Sequence, residues 1–229
     1  LENTPLQPPQ THVLPLPLTS RWFETARLDA ATARHNLGLA IPDGVKLVGT
    51  VGRLDPGKGQ RLALRALALI PEDIHWLFVG NNTANNGVDE AAHLKRLALE
   101  VGVGDRVHWL EGRDDVLPVY DSLDAFIMTS HAETIGTVTL EAMARRVPVV
   151  GSLAGGTSEL LDSGRGLGFE TRNHTDLARA VHEVLEMDDS KTAEMCELAW
   201  NHAMKSHPDT LIPAWNDLLH QTIQSARKA

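Results

Sequence analysis

The sequence predicts an α/β domain built on a mainly parallel sheet of about six strands with helices on both faces. Short apolar runs rich in β-branched residues alternate with longer helical patterns from residue 45 onward. Glycine-rich segments follow several of these runs. The 229 residues, 42% of them hydrophobic, are enough to fill one such core. Ligands of parallel sheets bind beyond the carboxyl ends of the strands, so functional side chains are expected in the loops after the strands.

Residues 1–23 are predicted to form an extended linker ahead of this domain. Five of the twelve prolines fall within the first 20 residues, and proline is excluded from helix interiors and central strands. A single helix is then predicted over residues 24–39, ending at Gly38, before a turn at residues 42–44. The chain therefore divides into a linker, residues 1–23, and a domain, residues 24–229.

The middle of the chain alternates between the two periodicities of regular structure. Strands are predicted at residues 46–51, 74–79, 107–110, 125–128, 148–150 and 167–169. The helices that follow them are predicted at residues 60–70, 90–100, 116–120, 137–145, 157–161 and 176–186. Two more helices are predicted at residues 191–204 and 209–226. In the last one, an apolar face is shared by Leu211, Trp215, Leu218 and Ile223.

The composition excludes several classes of function. A formal net charge of −9 argues against an extended nucleic-acid surface. No run of about 18 apolar residues is present, so no membrane span is expected, while peripheral association with a membrane stays open. Cys196 is the single cysteine, which leaves no disulfide framework and favours a cytoplasmic protein. No His or Cys cluster has the spacing of metal ligands, so neither a metal nor a cofactor is expected.

The segment at residues 130–150 is the strongest candidate site. Glu133 and Glu141 stand on either side of a predicted helix start, with a turn at Gly136 between them. Helical side chains tilt toward the helix N-terminus, so Glu141 is expected to point back toward Glu133. Free backbone N–H groups at this helix start would attract a phosphate, and they belong to Ile135, Gly136, Thr137 and Val138. The alternative is two solvated charges on an amphipathic helix.

A second candidate is the glycine-rich loop at residues 52–59, after the first predicted strand. Gly52, Arg53 and Lys58 give it the flexibility and the positive charge that a phosphate site needs. The loop is one residue short of a P-loop, because Gly59 stands where a Ser or Thr would hold Mg²⁺. No later strand ends in a metal-binding aspartate either, so an NTPase is not predicted. Two solvated cations are the structural alternative.

Two further loops carry weaker signals. Gly112 and Arg113 follow the third predicted strand, where Arg113 could equally be a surface charge beside a helix. Asp114 is expected to cap the next helix. Residues 151–159 form another glycine-rich connection, whose glycines would let the backbone approach a neighbour or a ligand closely.

Taken together, these motifs resemble the donor site of retaining glycosyltransferases of family 4. The resemblance lies in two glutamates separated by seven residues and followed by Ala-Met-Ala and Pro-Val-Val. The loops at residues 52–59 and 155–159 are also similar to those of the family. The likeness covers roughly residues 46–185. It departs from the family at Thr134 and Ile135, where Gly and an aromatic residue are usual, and at Arg146, where Gly is usual.

The resemblance implies a GT-B architecture, in which two Rossmann-like domains face each other. This chain would then be the C-terminal, donor-binding half, joined by its linker to an N-terminal domain that holds a glycan or glycolipid acceptor. The apolar face of the last helix would pack in the core, as such faces most often do, or part of it would meet that other domain. The polypeptide as given is expected to bind donor without turnover.

The family's site residues carry over to matching positions. Arg53 and Lys58 would neutralise the diphosphate, helped by the N–H groups near Gly136, while Glu141 would take the ribose hydroxyls and Glu133 the sugar. The loop with Gly112 and Arg113 would lie beside the nucleobase. A UDP-sugar is the favoured donor and a hexose the transferred group, with likeness to lipopolysaccharide core glucosyltransferases. A GT-B sugar-nucleotide epimerase and a non-catalytic nucleotide-binding regulatory module remain alternatives.

Overall fold

The computed structural model describes residues 15–83 and 89–226 and is centred on a six-stranded sheet. All strand pairs are parallel, in the order β3-β2-β1-β4-β5-β6. The strands are β1 Lys46–Val51, β2 Ile74–Val79, β3 Val107–Leu110, β4 Ala125–Met128, β5 Val149–Ser152 and β6 Leu167–Phe169. The predicted Rossmann-like α/β fold is confirmed. β5 runs through Ser152, so Gly151, which was predicted to open a loop, lies in the strand.

Helices cover both faces of the sheet. They are α1 Arg21–Glu24, α2 Ala30–Asn36, α3 Gln60–Leu67, α4 Glu90–Glu100, α5 Leu117–Asp121, α6 Thr137–Ala144, α7 Gly156–Leu161, α8 His174–Leu185, α9 Asp189–Ala203 and α10 Pro208–Ala226. Side chains alternate along each strand, so Trp76 and Phe78 join one core with α3, α4 and α8. Leu77 and Val79 join the other core with α5, α6, α7 and α9. The helices predicted between residues 60 and 226 differ from the observed α3 to α10 only near their ends.

The strand order places one crevice at a defined point of the sheet. β1 pairs with β2 on one side and with β4 on the other, so chain progression reverses direction between β1 and β4. The loops that leave two such strands diverge to opposite faces, and ligands of open α/β sheets bind between them. The fold therefore brings the loop after β1 and the loop after β4 to the same opening.

The prediction of one helix over residues 24–39 is wrong. The structure has two helices, α1 and α2, with an extended segment between them. Asp29 caps α2, because its Oδ1 accepts the Thr32 N–H at 2.8 Å, and capping requires a non-helical backbone at that residue. The Thr25 carbonyl is held by Arg145 Nη1 at 2.6 Å. A tertiary hydrogen bond and a cap thus override the helical pattern.

The prediction that Asp114 caps the next helix is also wrong. α5 begins at Leu117, its N-cap position is Val116, and no side chain caps it. Pro118 lies in the first turn of α5, where its fixed backbone angle suits a helix start and its missing N–H costs nothing. Proline therefore sets this helix start in place of an acidic cap.

The two ends of the chain pack differently. Residues 1–14 of the predicted linker and residues 227–229 lie outside the described part of the chain. Leu18 and Trp22 are buried, and the Leu18 N–H donates to the Ser206 carbonyl at 2.9 Å, so the described end of the linker packs on the domain. In α10, Leu211 is buried and Leu218 half-buried, whereas Trp215 and Ile223 are exposed. The predicted apolar face of α10 is therefore covered only in part by the residues that the structure describes.

None of the helices among the described residues is long and apolar enough to cross a membrane.

Candidate functional site

A cavity of about 210 Å³ lies at the crevice between β1 and β4. Its lining includes six residues predicted from the sequence to bind ligand, namely Gly52, Arg53, Lys58, Glu133, Thr137 and Val138. These residues come from the loop after β1, the loop after β4 and the first turn of α6. The structure thus brings the two strongest sequence motifs to one opening.

The loop at residues 52–59 is fixed by contacts of its own. Asp55 Oδ1 accepts the Gly57 N–H at 2.8 Å, and the buried Gln60 donates through Nε2 to the Arg53 carbonyl at 2.8 Å. Gly59 has φ 73°, and a Cβ there would overlap the carbonyl oxygen of Thr129. Gly59 is therefore needed for close approach to the neighbouring loop, which explains why this position lacks the P-loop hydroxyl.

The same loop is tied to the segment after β4. Thr129 Oγ1 donates to the Lys58 carbonyl at 2.7 Å, and the His131 N–H donates to the Gly57 carbonyl at 2.9 Å. Lys58 Nζ lies 2.9 Å from Glu133 Oε2, with 29% and 15% of the two side chains exposed. The cation predicted for the diphosphate and the carboxylate predicted for the sugar are therefore paired with each other. A diphosphate would compete with Glu133 for this ammonium group.

Arg53, by contrast, is exposed and makes no side-chain ion pair with any residue that the structure describes. It lines the cavity together with Lys58. The two cations and Glu133 leave one net positive charge at this opening, in a chain whose net charge is −9. A positive opening of this kind favours an anionic ligand.

The start of α6 supplies the third part of the cavity. Gly136, at φ 69°, occupies the N-cap position, and no side chain caps the helix. The N–H groups of Thr137 and Val138 therefore stay free for an anion. The segment before the helix is supported from behind, because the Gly156 N–H donates to the Glu133 carbonyl at 2.8 Å. A Cβ at Gly155 would overlap that same carbonyl oxygen, so the glycine pair allows the close approach predicted for this loop.

Ile135 does not share this cavity. Its side chain is 44% exposed and lines a neighbouring groove of about 520 Å³ together with Leu16, His202 and Lys205. The groove shares no lining residue with the cavity between β1 and β4. The prediction that Ile135 contacts the nucleotide through its backbone stays a prediction.

Glu141 lies one turn into α6 and does not line the cavity. It is half-buried, and its Oε2 accepts a hydrogen bond from Tyr120 Oη at 2.7 Å. Burial raises the pKa of Glu141, while this hydrogen bond and the positive charge of Arg21 oppose the rise. Burial together with the neighbouring Glu141 raises the pKa of Tyr120 well above its ordinary value. Tyr120 is thus a neutral hydrogen-bond donor to this carboxylate.

Gly112 and Arg113 lie in a second, adjoining cavity of about 270 Å³, which Gly52 and Arg53 also line. The Gly112 N–H donates to Asn81 Oδ1 at 2.9 Å, and Arg113 Nε donates to the Asp115 carbonyl at 2.8 Å. Because Arg53 borders both cavities, one elongated ligand could occupy the two together. The predicted order of diphosphate and nucleobase along the sheet edge is compatible with this geometry.

Sequence reasoning missed two residues of the site. Asn81, which holds Gly112, directly follows the buried strand β2 and its glycine, and a polar residue at a strand end is a signal that could have found it. Tyr120 is the only tyrosine of the chain, but in a short helical pattern it looks like an ordinary core residue. Its partner, Glu141, is 21 positions away, so no local pattern shows the contact.

The strand order and the cavity place the protein in the class of open parallel α/β domains with a crevice at the switch point of the sheet. Residues 35–199 match the family model of the glycosyl transferases group 1. The chain belongs to this family. A D-inositol 3-phosphate glycosyltransferase of Stackebrandtia nassauensis is 33% identical over 215 residues, 88% of this chain and 48% of that protein. The chain spans about half the length of the curated relatives it matches.

Solved structures agree with this assignment. The HepE protein of Anabaena in complex with UDP is 28% identical, with a TM-score of 0.79 over 91% of this chain and 56% of that one. WaaG, a glycosyltransferase involved in lipopolysaccharide biosynthesis, is 22% identical, with a TM-score of 0.72 over 88% of this chain and 54% of that one. At that identity, the likeness to WaaG shows the fold alone. The GT-B expectation is confirmed, whereas the narrower likeness to lipopolysaccharide enzymes gains no support beyond the fold.

Proposed function

We propose that this chain is the donor-binding domain of a glycosyltransferase that moves a hexose from a UDP-sugar to an acceptor hydroxyl with retention of configuration. The observation that carries the proposal is the cavity between β1 and β4. Two cations, an uncapped helix start and a carboxylate from three separate segments line this one opening. The UDP found in HepE, a similar structure, supports uridine as the base.

The proposed roles follow from where charge develops in the reaction. When the bond between sugar and diphosphate breaks, negative charge grows on the leaving group. Arg53, Lys58 and the N–H groups at the start of α6 stabilise that charge, and each is worth roughly 2 to 4 kcal/mol by analogy with oxyanion donors. Glu133 accepts hydrogen bonds from sugar hydroxyls once Lys58 has turned to the diphosphate, and Glu141 accepts from the ribose.

The acceptor is proposed from the names of the relatives. Proteins about one-third identical to this chain are named D-inositol 3-phosphate glycosyltransferases, which supports a phosphorylated polyol over lipopolysaccharide. The acceptor would bind on a facing domain, because the chain matches only about half of each relative. Transfer is therefore proposed to need both halves of such an enzyme, since the acceptor must be held in line with the donor.

The proposal is tested by titrating residues 1–229 with UDP, ADP and GDP and with their glucose conjugates. UDP is expected to bind, and Arg53→Ala or Lys58→Ala is expected to weaken binding roughly 10- to 100-fold, as for hydrogen bonds between charged groups. Arg65→Ala and Lys95→Ala, which remove exposed cations of α3 and α4, are the matched controls. Equal losses in all four variants, or no binding of any nucleoside diphosphate, would refute the site.

A further inference from the structure

Two side-chain contacts join consecutive residues of α5 to positions one helical turn apart, namely Glu141 in α6 and Arg145 at its C-cap. At the end near the cavity, Tyr120 Oη donates to Glu141 Oε2 at 2.7 Å. One turn further on, Arg145 donates to both carboxylate oxygens of Asp121, at 2.9 and 2.8 Å. Arg145 and Asp121 are both buried, so this second contact holds the register of the two helices. The position of Tyr120 relative to Glu141 is therefore fixed by the fold.

The phenol ring of Tyr120 is itself confined. The residue is fully buried, and its ring stands edge-on to Trp22 at 5.5 Å and tilted against Phe126 at 5.6 Å. The hydroxyl has one proton and two acceptors within reach, Glu141 Oε2 at 2.7 Å and the Val138 carbonyl at 3.3 Å. The shorter bond to a carboxylate is the stronger one. The proton of Tyr120 is thus directed at Glu141.

We propose that Tyr120 is a positioning residue that holds one oxygen of Glu141, so that the other oxygen is presented to the ribose hydroxyls of the bound nucleotide. This inference rests on the proposed function, which gives Glu141 to the ribose. A carboxylate held through one oxygen loses little rotational freedom when a ligand binds to the other. The hydrogen bond also opposes the rise that burial imposes on the pKa of Glu141, which favours the ionised, accepting form of the group.

The test compares two ligands on three proteins: the wild type, Tyr120→Phe and Glu141→Ala. The ligands are UDP and 2′,3′-dideoxyuridine diphosphate, which lacks both ribose hydroxyls. Tyr120→Phe removes one oxygen atom and keeps the buried ring. It is expected to weaken UDP binding roughly 5- to 10-fold, the size of one ordinary hydrogen bond, because Tyr120 acts on the ligand only through Glu141. Binding of the dideoxy ligand is expected to stay within about 2-fold of wild type, because Glu141 has no hydroxyl to accept from it.

The outcomes separate this inference from the proposed function. If Tyr120→Phe weakens both ligands equally, or neither, Tyr120 does not act through the ribose and the inference is wrong. If Glu141→Ala discriminates between the ligands and Tyr120→Phe does not, the inference fails alone. If Glu141→Ala leaves the UDP to dideoxy-UDP ratio unchanged, the ribose role of Glu141 fails and the inference with it. The Arg53 and Lys58 variants still report on the diphosphate site in that case.

A spectroscopic measurement tests the same inference without the Tyr120→Phe substitution. Because Tyr120 is the only tyrosine, growth on 3-fluorotyrosine labels this position alone. The fluorine resonance is expected to shift when UDP saturates the protein and to shift far less with the dideoxy ligand. A resonance that responds identically to both ligands, or to neither, would overturn the inference even if Tyr120→Phe proved unstable.

Discussion

Two ion pairs of this domain are built from similar groups in different surroundings. Arg145 and Asp121 are both 2% exposed, and their remaining polar atoms are used, since Arg145 also donates to the Thr25 carbonyl and Asp121 accepts the Leu28 N–H at 3.1 Å. Lys58 and Glu133 are 29% and 15% exposed and border a cavity. The first pair closes a network that fixes the segment entering the domain, whereas the second can exchange partners with a ligand.

The largest expected effect comes from breaking the buried pair of Arg145 and Asp121. Asp121→Ala leaves the guanidinium of Arg145 buried without its carboxylate, which should lower the free energy of unfolding by roughly 3 to 5 kcal/mol. Glu133→Ala removes a partly exposed partner and should cost less than about 1 kcal/mol. Urea denaturation of both variants measures the difference. Similar losses would mean that the two pairs contribute equally to the free energy of unfolding and that their difference in exposure does not predict their contribution.

The second prediction concerns the partly exposed pair of Lys58 and Glu133. Glu133→Gln keeps the shape of the side chain but removes the charge that competes with the diphosphate for Lys58. UDP alone should then bind roughly 2- to 5-fold more tightly, the scale of one partly exposed ion pair. UDP-glucose should gain less or bind more weakly, because the acceptor for its sugar hydroxyls is impaired. Calorimetric titration with both ligands measures this, and an equal change for both would contradict the sugar role of Glu133.

The sequence predicted the sheet well because its signal is local. Each strand is a short, largely apolar run, and the predicted bounds of β1 to β4 and of β6 agree with the structure. Lys58 and Glu133 could each be assigned to the site from their own motifs, but their pairing spans 75 positions. The same holds for the error at residues 24–39, where Arg145, 120 positions from Thr25, stabilises an extended segment. Local sequence patterns predict which helices and strands form, whereas contacts between distant residues determine where these elements end and which side chains pair.

Arg146 follows the buried Arg145 in the chain, and its own contacts are more exposed than those of the Arg145–Asp121 pair. Its φ of 54° is unfavourable for any side chain with a Cβ. Its guanidinium lies 4.4 Å from the centre of the Trp200 ring and pairs with Glu197, while the side chain stays 38% exposed. These contacts offset the strain of the backbone. The carbonyl of Arg146 also accepts from Arg27 Nη1 at 3.2 Å, so the turn helps to hold the same entering segment.

The smallest expected effect separates strain from contacts at this turn. Arg146→Ala keeps the strained backbone and loses the ring and the ion pair, which should cost about 1 kcal/mol of unfolding free energy. Arg146→Gly loses the same contacts but relieves the backbone, so it should be more stable than Arg146→Ala by roughly 1 kcal/mol and close to wild type. Urea denaturation gives both values, with Glu197→Ala as the control for the ion pair alone. If alanine and glycine were equally stable, the turn would carry no strain, and the contacts of Arg146 would be a net gain.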